Sequence, residues 1–255
     1  MTRLSALLVC ITFLLTGLAR AEETVDLELV LLADATGSID NAEIRFQREG
    51  YAQAITSPEV LAAITGGLHG KIAVTYVEWG DFTSQQVVVP WTVISNAADA
   101  QKVAKVLKEK PRLAYGSNAI GAALVKGMLL LETNKIRGLR RVIDLSADSA
   151  NNWNGPPASD VRDVVAAKGI TINGLAILCR DIDCGGRPVT YNLEEAFRRD
   201  IIGGPGAFVV TAGDRASFAA AVKRKLILEI AGTATKTFAS EDGSGAKPAR
   251  NLKNP

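Results

Sequence analysis

The sequence predicts an α/β domain built on a doubly wound, mostly parallel sheet with one antiparallel edge strand. Three observations carry this expectation. Between residues 24 and 232, apolar runs of strand length alternate with amphipathic stretches of helix length, the pattern of repeated βαβ units. The runs are close to continuously apolar, as expected of strands covered on both faces. One pair of runs is joined by so short a turn that an antiparallel hairpin is required.

Taken in order, Leu27-Glu28-Leu29-Val30-Leu31-Leu32-Ala33 predicts the first, central strand, which ends at Asp34-Ala35-Thr36-Gly37-Ser38. Asp40-Asn41-Ala42-Glu43 has the form of a capping box and opens a helix to about Ile55. Residues 71–79 read as the second strand, and the turn at Gly80-Asp81 returns the chain through residues 85–89 as the edge strand. A helix over 95–108 carries Val103, Val106 and Leu107 on one face and stops before Pro111. After Gly116-Ser117-Asn118 a helix runs from Ala119 to about Lys135, and Arg141-Val142-Ile143-Asp144-Leu145-Ser146 is a buried strand ending at Ala147-Asp148. A short helix over 159–168, a strand over 170–178, a brief helix over 192–199 and a strand over 207–211 follow. Phe218, Val222, Leu226 and Ile230 recur every four residues along the final helix.

The two ends read differently from this core. Arg3, an apolar stretch over 4–18 and Ala19-Arg20-Ala21 before Glu22-Glu23 have the order of a cleaved secretory signal. The stretch is shorter than the roughly 20 residues that span a bilayer. The expected organisation is therefore a signal peptide at 1–21, one domain at 22–232 and a disordered tail at 233–255, which is small, polar and without apolar periodicity. The expected location is the periplasm or the medium.

Removing Arg3 and Arg20 from the 29 basic residues leaves as many basic as acidic side chains, 27 of each. A nucleic-acid binder needs a basic excess to neutralise phosphates, and a peripheral membrane protein needs a basic or strongly apolar face; neither footprint is present. Cys10 falls within the signal. Cys179 and Cys184, close together in Cys-Arg-Asp-Ile-Asp-Cys, read as a local disulfide in an oxidising compartment. Closing so short a loop adds about 2 kcal/mol, which tethers a loop but does not make a fold.

In open parallel sheets a ligand sits beyond the carboxyl ends of the strands, where strand order reverses. Three oxygen-rich loops fall there: Asp34-Ala35-Thr36-Gly37-Ser38, Gly116-Ser117-Asn118 and Asp148-Ser149. Two carboxylates, several hydroxyls and no nearby His or Cys make a hard, oxygen-only set suited to Mg²⁺, Mn²⁺ or Ca²⁺. A plainer reading of the same residues is that Asp34, Thr36 and Ser38 satisfy backbone N–H groups in a βα turn, with Asp148 closing an Asx turn. Trp153, with Asn152 in a polar loop close by, reads either as a partner contact or as a cover for the sheet end. Trp79 and Trp91 read as core and edge packing, and His69 as a solvated turn residue.

The sequence here resembles the von Willebrand factor A domain, whose metal-ion-dependent adhesion site combines a D-x-S-x-S loop, a threonine loop and a later aspartate. More closely, it resembles an uncharacterised bacterial family of exported von Willebrand A-like proteins. The likeness runs from about Leu27 to Gly232 through Asp34-Ala35-Thr36-Gly37-Ser38-Ile39-Asp40, Tyr76-Val77-Glu78-Trp79, Val142-Ile143-Asp144-Leu145-Ser146-Ala147-Asp148, Asn151-Asn152, Ile170-Thr171-Ile172-Asn173-Gly174-Leu175 and Ile202-Gly203-Gly204-Pro205-Gly206-Ala207-Phe208. It implies a doubly wound, von Willebrand factor A-like fold and a divalent cation, Mg²⁺ ahead of Mn²⁺ or Ca²⁺. Asp34, Thr36 and Ser38 match the first loop, with threonine keeping the hydroxyl of a serine. Asn118 stands where the second loop has its threonine, and Asp148 matches the later aspartate. An asparagine carbonyl reaches one atom further than a threonine hydroxyl, so weak affinity is expected. The resemblance implies no established activity.

The expected function is thus an exported protein-binding module, not an enzyme, in which a cation at this site engages an acidic side chain of an extracytoplasmic protein. Two alternatives stand beside it: a metal-free scaffold with a decayed site, and a metal-dependent hydrolase. The hydrolase lacks the usual settings, since the chain has one histidine, no G-x-S-x-G elbow and no phosphate-cradling loop.

Overall fold

The computed structural model describes residues 22–178 and 189–232. The expected signal at 1–21, the Cys179–Cys184 pair and the tail at 233–255 lie outside the described residues.

Among the described residues, a six-stranded sheet has the order β3-β2-β1-β4-β5-β6. Its strands are β1 (Glu23–Asp34), β2 (Ile72–Trp79), β3 (Gln85–Ile94), β4 (Ile136–Ala147), β5 (Thr171–Ile177) and β6 (Val209–Ala212). All neighbours are parallel except β2 and β3, which form the expected antiparallel edge hairpin. The helices are α1 (Asn41–Ile55), α2 (Pro58–Thr65), α3 (Ala97–Glu109), α4 (Ile120–Thr133), α5 (Ala158–Ala167), α6 (Leu193–Asp200) and α7 (Arg215–Ala231).

Burial on both faces explains the unbroken apolar run of β1. Leu27, Leu29, Leu31 and Ala33 point into one core with Tyr51 and Ile55 of α1, Ile64 of α2, Leu107 of α3 and Phe218 and Leu226 of α7. Val30 and Leu32 point into the other, with Leu124 of α4, Val165 of α5 and Phe197 of α6. The period of two along a strand thus feeds two separate apolar layers. The polypeptide leaves β1 toward β2, then crosses back to lay β4 on the other side of β1. Strand order reverses at that point, so the carboxyl ends of β1 and β4 flank the crevice where such sheets take ligands.

Several elements extend past their sequence-based bounds for identifiable reasons. β1 begins at Glu23 and β4 at Ile136 because these first segments pair with each other, Glu23 opposite Ile136. Apolar and polar residues are mixed in both segments, so no apolar run marks them. β3 continues through Pro90 to Ile94; Pro90 is tolerated because an edge strand does not need every N–H. α2 was not expected, although Ser57 caps it and Pro58 occupies its first turn.

Candidate metal centre

β1 delivers Asp34 to the crevice fully buried. Its Oδ1 accepts the Thr36 N–H at 2.8 Å, while Oδ2 is buried without a hydrogen-bond partner among the described residues. Thr36 Oγ1 lies 3.1 Å from Ser38 Oγ, and Ser38 Oγ donates to Asp148 Oδ1 at 3.4 Å. The oxygen atoms of Asp34, Thr36, Ser38 and Asp148 therefore form one connected cluster. Next in the chain, Asp40 is consumed in the capping box of α1, accepting the N–H groups of Ala42 and Glu43.

The second loop is fixed by backbone. Gly37 N–H donates to Gly116 O at 2.8 Å, and Asp81 N–H donates to Tyr115 O at 2.9 Å. Gly116 has φ +110°, and a Cβ there would stand 2.5 Å from Asp81 Cβ, so the turn needs glycine on both counts. Asn118 is buried beside it; its carbonyl accepts the Trp153 N–H at 2.7 Å, and its side-chain amide makes no hydrogen bond among the described residues. Ser117 is exposed.

The two acids of this cluster are both buried and close to each other. Burial, and then the charge of Asp148, push the Asp34 carboxyl up to about 7, against the Thr36 hydrogen bonds that pull it down. Burial raises Asp148 as well, partly offset by Ser38. Among the described residues neither carboxylate has a Lys or Arg within ion-pair distance. No three His, Cys, Asp or Glu side chains converge anywhere among them either. Two acids and two hydroxyls with one buried, unshared carboxylate oxygen make a donor set that fits a hard divalent cation.

The loop after β4 covers one side. Asn152 spends its side chain on structure: Oδ1 accepts the Gly121 N–H at 2.9 Å and Nδ2 donates to Pro156 O at 3.0 Å. It positions the loop on the first turn of α4. A Cβ on Gly121 would sit 2.0 Å from Pro156 O, so the approach requires glycine. Trp153 is left 72% exposed, and Phe82, Tyr115 and Tyr191 are exposed on loops of the same end. Trp79 is fully buried in the core, and Trp91 is half-buried on β3 with Nε1 donating to Leu130 O. His69 is exposed near the start of β1, at the far end of the sheet, with its N–H on the Asp26 carboxylate.

Sequence reasoning missed the two arginines that hold these loops. Arg112 donates to the carbonyls of Ala35 (2.5 Å), Thr36 (3.0 Å), Ile39 (2.8 Å) and Ala114 (2.9 Å), and lies 4.5 Å from the Tyr115 ring centroid. It ties the first loop to the second. Buried Arg48 pairs with buried Glu78 at 2.7 Å and also donates to the Lys110 and Pro111 carbonyls. An acid inside an otherwise apolar strand was the available signal for Glu78; nothing in the sequence marks Arg112.

With this geometry in hand, comparison with known proteins places the chain. Residues 24–234 match the family model described as "Protein of unknown function (DUF1194)", and the chain belongs to that family. No curated protein matches it. Among solved structures, it is similar to a von Willebrand factor type A protein from Catenulispora acidiphila, with TM-score 0.57 and 15% identity over 81% of this chain and 43% of that one. It is also similar to the pilus adhesin SpaC from Lactobacillus rhamnosus GG in its open conformation (TM-score 0.55, 15% identity, 81% and 30% covered). A third is proximal thread matrix protein 1 from the mussel byssus, solved with a zinc-occupied MIDAS motif (0.54, 14%, 81% and 46%). The chain spans less than half the length of each of these three. At such identities the likeness establishes the fold, which is that of a von Willebrand factor A domain.

Proposed function

We propose that this protein is an exported binding module of the adhesion type, in which Asp34, Thr36, Ser38 and Asp148, with Asn118 at the margin, hold a divalent cation that engages an acidic group of a protein partner. One observation carries the reading: two buried carboxylates share the crevice with no cationic side chain to neutralise them, and one oxygen of Asp34 is left without a partner. A buried charge without compensation is expensive, so a fold that keeps two of them together is built around a counter-charge from outside. Mg²⁺ suits the oxygen donors best, with Mn²⁺ or Ca²⁺ as alternatives. A bound cation would supply a Lewis-acidic contact for a carboxylate.

The chain's own residues do the rest. The hydroxyls of Thr36 and Ser38 orient toward the acids, Arg112 fixes the backbone of their loop, and Asn152 holds Trp153 where a partner can cover it. The catalytic alternative finds little support, because the one histidine lies at the far end of the sheet. Export agrees with the signal-like N-terminus, and no described helix is long and apolar enough to cross a membrane.

Capture from envelope extract, with Mg²⁺ and with chelator, tests this reading. A partner retained only with metal, and lost with Asp34→Asn, is the expected result. Capture indifferent to chelator, with a melt that Mg²⁺, Mn²⁺ and Ca²⁺ all leave unchanged, would replace it with the metal-free scaffold.

A further inference from the structure

Directly beside the first loop, between α1 and the connection from α3 to α4, lies a cleft of about 410 Å³. Its floor is apolar, from Ile44 and Leu107. Its walls are basic: Arg45, Arg48, Lys108, Lys110 and Arg112 line it against a single carboxylate, Glu49. Arg48 is neutralised internally by Glu78, but Arg112 is held only by carbonyls, the Asn41 side chain and the Tyr115 ring. Among the described residues Arg45, Lys108 and Lys110 have no carboxylate within ion-pair distance, although other exposed lysines of the same helix do, Lys102 with Asp99 and Lys105 with Glu109. The positive charge of α3 is thus paired away from the cleft and unpaired at its mouth. In a domain (22–232) with 25 acids and 23 bases, that concentration is local.

We propose that this cleft is a second anion-binding subsite, taking another carboxylate of the acidic partner segment whose first carboxylate meets the Asp34 crevice. The subsite rests on the reading of that crevice as an acceptor for an acidic partner, and it gives that partner a chemistry: an acidic run of polypeptide, not a lone aspartate or glutamate. The adjacency is physical, since Arg112 lines the cleft and also grips the carbonyls of Ala35, Thr36 and Ile39. A guanidinium anchored in this way is pre-organised, so little side-chain entropy is lost when an anion arrives beside it. The lysines above it are mobile point charges that adapt to a carboxylate and draw it in from solution.

The test uses the whole protein and synthetic peptides carrying one aspartate, or two separated by glycine spacers of increasing length, with binding followed by fluorescence anisotropy in Mg²⁺ and in chelator. At a favoured spacing the second aspartate should tighten binding about tenfold, and Arg45→Ala/Lys108→Ala/Lys110→Ala should erase that gain while leaving the melt unchanged. A control variant, Lys126→Ala/Lys135→Ala/Arg137→Ala, removes equal charge from other parts of the surface and should keep the gain. The subsite is overturned if no spacing gives a gain, if the cleft variant retains it, or if the control variant loses it equally. Metal enters separately: if Mg²⁺ changes nothing, the crevice reading fails, while the gain in chelator and its loss in the cleft variant still decide the subsite.

Discussion

Two pairs of buried acids lie along β4 and the loop that follows it, and they differ in what surrounds them. Asp144, in the middle of β4, faces Glu229 of α7, and Lys225 sits between them, 2.6 Å from Asp144 Oδ1 and 2.5 Å from Glu229 Oε1. Asn173 adds a hydrogen bond to Glu229 at 3.0 Å. Just past the end of β4, Asp148 faces Asp34 with hydroxyls and no ammonium. Burial pushes Glu229 up to about 7, with Asp144 adding to it and Lys225 pulling back; Asp34 is pushed to about the same value. The shifts alone therefore do not separate the pairs. Geometry does, because one pair has an ammonium between its carboxylates and the other, among the described residues, has none.

The largest effect that would sharpen this contrast is expected at the internal pair. Lys225→Met leaves two buried carboxylates with no cation and should cost about 3–5 kcal/mol in a urea melt; a loss under ~1 kcal/mol would show that the ammonium is dispensable. At the crevice the proposed cation is added, not removed. Mg²⁺ at a hundredfold excess over its Kd should raise stability by about 2.7 kcal/mol, and Asp34→Asn, which keeps the acceptor for Thr36 but removes the charge, should abolish the gain. A wild-type melt unmoved by cations would make the two pairs alike.

The third expectation concerns pH. In the folded chain Glu229 keeps its proton up to about 7, whereas its ordinary value is 4.5. Between these the folded state binds more protons than the unfolded one, so this contribution is complete below the ordinary value and is lost as pH rises through about 7. Stability should fall on the order of 2 kcal/mol over that window, and Glu229→Gln should flatten the profile. A difference profile that stays flat, or climbs with pH, would remove Glu229 from the account. The smallest effect on folding is expected from Trp153→Ala, within about 0.5 kcal/mol because the ring is exposed, yet capture of the acidic partner should weaken; unchanged capture would leave Trp153 without a part in binding.

Much of this was legible because it is local. A continuous apolar run announced β1, Asp40 and Glu43 announced the start of α1, and the acids at the ends of two buried strands announced the crevice. What was hidden is held by contacts between distant residues. Lys225 flanks the apolar stripe of Phe218, Val222, Leu226 and Ile230 and looks like a solvated neighbour until β4 brings Asp144 against it. Arg112 acts through backbone carbonyls, which no side-chain pattern records. The start of β4 was hidden because pairing there is by backbone while its side chains alternate into solvent. Asn152 was readable as a polar loop residue near the crevice, but only the fold shows its amide turned inward to hold the loop.

The pairing of β1 has a mechanical consequence. It is hydrogen-bonded on both edges, to β2 from Leu27 to Asp34 and to β4 from Glu23 to Ala33, and the crevice lies at its carboxyl end. Under the proposed function, a ligand held at Asp34 and drawn away by flow or by a moving surface would pull on β1 along its own axis. Both ladders are then loaded in shear, with many bonds sharing the tension, and they do not peel apart one bond at a time. A domain that must hold while tugged gains from having its grip at the tip of its most doubly tethered strand.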